Sequence, residues 1–103
     1  MKYLWLVSWF LVIAPAQAES LSEKELTRFV LQDCGSCHGL TLQGGLGKPL
    51  TKSELEGKPA EILAEIIMEG VKDTPMPPWK ALLSREDAMW IANFLLNGGM
   101  NEK

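Results

Sequence analysis

Residues 33–39 read Asp33-Cys34-Gly35-Ser36-Cys37-His38-Gly39, and they hold both cysteines and the only histidine of the chain. Two thiols three positions apart, followed at once by an imidazole, suit several chemistries. A disulfide of this spacing closes too short a loop to restrain much of the unfolded chain, and it gives the histidine no role. A thioredoxin-like redox couple needs a strand–helix–strand setting. Structural zinc needs four ligands, and two thiolates and one imidazole leave it one short. A catalytic zinc with an open position is chemically allowed. Cys-x-x-Cys-His is also the attachment signal for c-type haem. Its thiols add to the two vinyl groups on one edge of the porphyrin, and the adjacent histidine is then carried beneath the iron.

The flanking sequence separates these options. Of 103 residues, the first 18 form a segment of their own. Lys2 is a short positive region, Tyr3 to Ala14 is almost wholly apolar, and Ala16-Gln17-Ala18 is a small-x-small cleavage site. This is the pattern of a secretory signal peptide, and it is shorter than the roughly 20 residues of a membrane-spanning helix. The expected division is a cleaved signal peptide at 1–18 and one domain at 19–103, exported to the periplasm with no membrane span remaining. Cleavage removes Lys2 from ten basic residues and none of the thirteen acidic ones, so the net charge moves from −3 to −4. That balance argues against nucleic acid as a partner. So short a chain builds a modest core, and small domains usually fold around a staple. A large covalent cofactor would serve.

Hydrophobic periodicity indicates helices and no strands. The first runs from Ser22 to Gln32, opened by a Ser22/Glu25 capping box, with Leu26, Phe29 and Val30 on one face. A glycine-rich loop follows, Gly39 to Pro49, and then a short helical turn over Ser53–Glu56. The middle helix starts at Pro59, carries Ile62, Leu63, Ile66 and Ile67, and closes at Gly70. The last starts at Ser84, with Asp87 at the capping-box position, and ends at Gly98-Gly99. Ala88, Ile91, Ala92 and Leu95 share its inner face. The fold class is therefore all-α with three main helices, and Cys-x-x-Cys-His in an exported chain adds the expectation that they wrap around one covalently bound haem.

In this setting Cys34 and Cys37 are the expected thioether residues and His38 the expected iron ligand. The second axial ligand is sought among the methionines. Met68 and Met89 fall in helices, where methionine usually fills the core, and Met100 lies at the chain end. Met76 sits in Thr74-Pro75-Met76-Pro77-Pro78-Trp79, and prolines stiffen that loop. A stiff loop lowers the entropy cost of holding a weak thioether on iron, so Met76 is the expected partner of His38. Two protein ligands leave the iron no open position. The chain is then a one-electron carrier and not an enzyme.

The order of motifs resembles class I c-type cytochromes: N-terminal helix, CGSCH, glycine loop ending GKPL, middle helix, TPMPPW, C-terminal helix. More specifically, DCGSCHGLTLQGGLGKPLT, TPMPPW and AMWIANFLLNG resemble the small NirC-type cytochromes c (cytochrome c-55x), which are associated with nitrite reductase carrying haems c and d. The resemblance implies one haem c, a monomer, and redox protein partners. It implies electron donation to nitrite reductase in denitrification. The alternative it leaves is accessory work in maturing that enzyme's special haem d. A third reading, peroxidase-like or ligand-binding chemistry, requires a labile Met76. The family also implies that the first and last helices cross through Leu26, Phe29, Val30, Ile91 and Phe94. It implies further that the Pro49 carbonyl accepts the second N–H of His38, although Lys48 intervenes between Gly47 and Pro49 where the family usually reads Gly-Pro. Lys48, Lys52, Lys58, Lys72 and Lys80 all fall between the glycine loop and the region of Met76. They are expected to ring the haem edge and steer an acidic partner.

Overall fold

The computed structural model describes residues 20–99. The signal-peptide reading of 1–18 lies outside the described residues. Those residues form helices α1 (Glu23–Phe29), α2 (Gly35–His38), α3 (Lys52–Leu55), α4 (Ala60–Glu69) and α5 (Arg85–Leu96), with no strand among them. This is the helical architecture of a small class I cytochrome c.

Local signals explain where the helices begin. The Ser22 hydroxyl accepts the Glu25 N–H at 3.2 Å and donates to the Glu25 carboxylate at 3.0 Å. Ser84 and Asp87 form a complete capping box: the Ser84 hydroxyl accepts the Asp87 N–H, and the Asp87 carboxylate accepts the Ser84 N–H, both at 3.0 Å. Pro59 is the extended residue just before α4, one place earlier than its expected position inside the helix. Thr51, not the serine expected to open the short turn, caps α3.

The first helix does not stop at Gln32. Helical backbone continues to His38, interrupted by a single π turn at Val30–Cys34. One extra residue in a helical turn rotates everything beyond it, a device found mainly at functional sites. Here it lies between the buried side chains Leu26 and Val30 and the Cys34–His38 turn.

The core gathers Leu26, Val30, Leu42, Leu55, Ala64, Ile67, Leu83 and the α5 face Ala88, Ile91, Ala92 and Leu95. The small residues Ala64, Ala88 and Ala92 are fully buried where α4 and α5, the principal helix pair, pack together. Leu26, Val30 and Ile91 occupy the core as the family likeness implies, but the two phenylalanines do not meet across it. Phe29 packs edge-on against Trp79, with centroids 5.1 Å apart and planes at 85°. Phe94 stacks on Trp90 of its own helix at 4.9 Å. Residues four apart share a helix face, so this pairing is locally available to Phe94.

The glycine loop is anchored at several points. Leu42 is buried, its N–H donates to the Gly39 carbonyl, and its own carbonyl accepts the Leu50 N–H, both at 2.8 Å. Leu42 holds φ at +60°, an uncommon conformation for a branched residue, so the buried side chain offsets local strain.

Candidate functional site

A cavity of about 470 Å³ opens between the Cys34–His38 turn, the glycine loop, the α3–α4 corner and the segment after α4. Its wall includes Cys34, Cys37, His38 and Met76, so the four side chains singled out in the sequence come to one space. Leu55, Leu63, Ile66, Ile67 and Trp79 supply much of the remaining surface. This explains the α4 stripe: Ala64 faces the core, Ile67 sits between core and cavity, and Leu63 and Ile66 line the cavity, with Ile66 partly exposed. Ile62 is more than half exposed and belongs to neither face.

His38 is fixed from two directions. Its Nδ1 lies 2.7 Å from the Lys48 carbonyl oxygen. A carbonyl can only accept, so Nδ1 carries the proton and Nε2 keeps its lone pair for a metal. The accepting residue is Lys48, not Pro49. Gly47 N–H donates to the Cys37 carbonyl at 2.8 Å, which draws the loop onto the motif and puts the next carbonyl within reach of the ring. By Pro49 the chain has moved on, and the proline instead lines the cavity. Gly47 belongs to the glycine-rich loop, where glycine lets backbone pass close to a neighbouring group. A Cβ there would lie 2.6 Å from both Cε1 and Nδ1 of His38, so only glycine lets the backbone lie against the imidazole.

Cys34 and Cys37 both carry free thiols on the cavity wall. Burial, reinforced by the adjacent Asp33 carboxylate, pushes the Cys34 thiol up to about 12. A neutral sulfur therefore suits this wall and a thiolate does not. Among the described residues no group of three or more His, Cys, Asp or Glu side chains is placed to hold a metal ion, which leaves zinc without a ligand set.

Met76 is placed through its backbone. Its N–H donates to the Thr74 hydroxyl at 3.3 Å, and its carbonyl accepts the Val71 N–H at 3.2 Å. The Thr74 hydroxyl donates to the Val71 carbonyl at 2.7 Å and closes the turn. Trp79 and Lys80 N–H groups donate to the Ile67 and Met68 carbonyls, which tie the segment to the end of α4. Gly70 permits this approach, since a Cβ there would lie 2.7 Å from the backbone of Pro77 and Pro78.

The expected lysine ring is only partly present. Lys48 and Lys58 line the cavity. Lys80 is engaged elsewhere, its Nζ 3.1 Å from Glu69 Oε2. An exposed pair of this kind contributes little to stability, but it reduces the charge Lys80 offers a partner.

Residues 21–95 match the family model described as cytochrome c oxidase, cbb3-type, subunit III. Cytochrome c55X of Paracoccus denitrificans (strain Pd 1222) is 47% identical over 78 residues, which span 76% of each chain. The chain belongs to the NirC-type, or cytochrome c55X, family of c-type cytochromes. A solved c-type cytochrome NirC aligns to this cytochrome with a TM-score of 0.70 and 51% identity, covering 72% of this chain and 87% of the other. The structure titled dihydro-heme d1 dehydrogenase NirN in complex with DHE aligns with a TM-score of 0.65 and 25% identity, over 74% of this chain and 16% of that one. Membership implies covalently bound haem c, and the site fits it: two free cysteines, an imidazole with Nε2 free, a thioether and an apolar wall. No helix among the described residues is long and apolar enough to cross a membrane.

Proposed function

We propose that this chain is a periplasmic one-electron carrier with a single haem, joined to Cys34 and Cys37 and ligated by His38 and Met76. The supporting observation is that one largely apolar cavity gathers all four side chains, while the Lys48 carbonyl fixes the His38 tautomer. Haem c, when bound, supplies a reversible one-electron couple at iron. The protein's part is to hold the imidazole rigidly, to present the Met76 sulfur from a pinned loop and to keep water from the ring with Leu63, Ile66, Ile67 and Trp79. A rigid, dry site reduces reorganisation on electron transfer and raises the potential. The family likeness supports nitrite reductase as the electron acceptor.

The test of the site is the visible spectrum of the purified protein beside that of Met76→Ala. The wild type is expected to be red, with a c-type spectrum and an iron–sulfur charge-transfer band that the variant lacks. The same band in Met76→Ala would overturn the ligand assignment. Fast reoxidation of the reduced protein by nitrite reductase would support the donor role.

Similarity to part of a haem d1 dehydrogenase supports a second reading, an accessory role in maturing haem d. A deletion strain whose nitrite reductase lacks its special haem would favour that role over electron donation.

A further inference from the structure

The charged side chains of the cavity wall are Asp33, Lys48, Glu54 and Lys58. Each of them has a place to be explained, because the rest of the wall is mostly apolar. Asp33 adjoins Cys34 and so belongs to the thioether edge. Lys48 is bound through its carbonyl to the His38 ring. Glu54 and Lys58 come from the α3–α4 corner, which touches neither motif in sequence.

That corner is a built turn. Lys58 N–H donates to the Leu55 carbonyl at 3.1 Å, and Leu55 is anchored in the core. Gly57 holds φ at +82° with nothing within 4 Å of the place a Cβ would take. Glycine is therefore required there by conformation and not by space, and it turns the chain so that Lys58 returns to the cavity. Pro59 then fixes the entry into α4. Glu54 and Lys58 are four apart, yet they form no ion pair, and neither has a salt-bridge partner among the described residues.

Haem carries two propionate carboxylates on the porphyrin edge opposite its vinyl groups. With the vinyl edge joined to Cys34 and Cys37, the propionates would lie on the side away from Asp33 and would need solvent or a cation. We propose that Lys58 pairs with a haem propionate, and that Glu54, on the same wall, opposes it, so that the two side chains set the reduction potential in opposite directions. The inference rests on haem attachment at Cys34 and Cys37. A cation beside the porphyrin disfavours the extra positive charge of the oxidised state, so Lys58 raises the potential. The Glu54 carboxylate lowers it.

The experiment measures the reduction potential of the haem-loaded protein for wild type, Lys58→Gln, Lys58→Arg and Glu54→Gln. Lys24→Gln, an exposed change on α1 outside the cavity, is the control for charge alone. Lys58→Gln is expected to shift the reduction equilibrium about tenfold toward the oxidised form, roughly 59 mV for a one-electron couple. Lys58→Arg should restore most of it, and Glu54→Gln should shift it the other way. A red Lys58→Gln protein with wild-type potential, or a shift no larger than that of Lys24→Gln, would overturn the pairing and leave haem attachment intact. Failure of the wild type to carry haem would instead overturn the attachment on which the pairing rests.

Discussion

The two sides of the cavity are held differently. Both depend on a glycine that lets backbone approach closely, Gly47 beside His38 and Gly70 beside Met76–Pro78. At Gly47 the close contact is with a side chain, and that same ring donates a hydrogen bond to the Lys48 carbonyl. At Gly70 the contact is with backbone, and the hydrogen bonds around Met76 end on main chain or on Thr74. The histidine wall thus fixes a side-chain ring, the proposed iron ligand. The methionine wall fixes the backbone of a loop. A thioether bond to iron is weak, so the loop is where ligation should fail first.

Gly70→Ala should break the comparison most severely. Its φ of +69° is strained for alanine, and the new methyl would strike backbone that cannot swing aside. About 3 kcal/mol or more of stability should be lost, read by thermal unfolding, together with the iron–sulfur band. Gly47→Ala should cost about 1–3 kcal/mol and keep that band. Its signature is a changed imidazole environment, read by the shifted ring resonances of His38 in NMR. Thr74→Val removes the hydroxyl that bridges Val71 and Met76, at about 1–2 kcal/mol. The iron–sulfur band should weaken on mild warming while the His38 resonances hold. If Thr74→Val moves those resonances instead, the two walls are not independent. Lys80→Gln, which removes an exposed ion pair to α4, should change stability by no more than about 0.5 kcal/mol in chemical denaturation.

Helix starts were legible in the sequence because caps are local: Ser22 and Ser84 act within three residues of themselves. The inner face of α5 was legible because period alone defines it. The π turn was not, since no residue in Val30–Cys34 encodes a changed hydrogen-bond register; packing on either side decides it. The partners of Phe29 and Phe94 are tertiary choices, and Trp79 reaches Phe29 from a proline-rich loop whose path no periodicity describes. Lys48 rather than Pro49 meets His38 because the turn at Gly47 sets the reach, a difference of one residue that spacing cannot resolve. The pairing of Lys80 with Glu69 depends on how the loop folds back along α4.

Asp87 is almost wholly buried, and beyond capping α5 it accepts the Leu21 N–H at 3.0 Å, from a residue 66 positions earlier. The segment before α1 is therefore fastened to α5. A ribosome delivers Leu21 first and Asp87 among the last of the described residues, so α1 is expected to have no permanent seat until synthesis is nearly done. Contacts between residues so distant in sequence form slowly. Both thiols and the Met76 loop lie between the two ends of this clasp. Its closure is expected to come late, and until then the thiols stay within reach of the machinery that the proposed haem attachment would need.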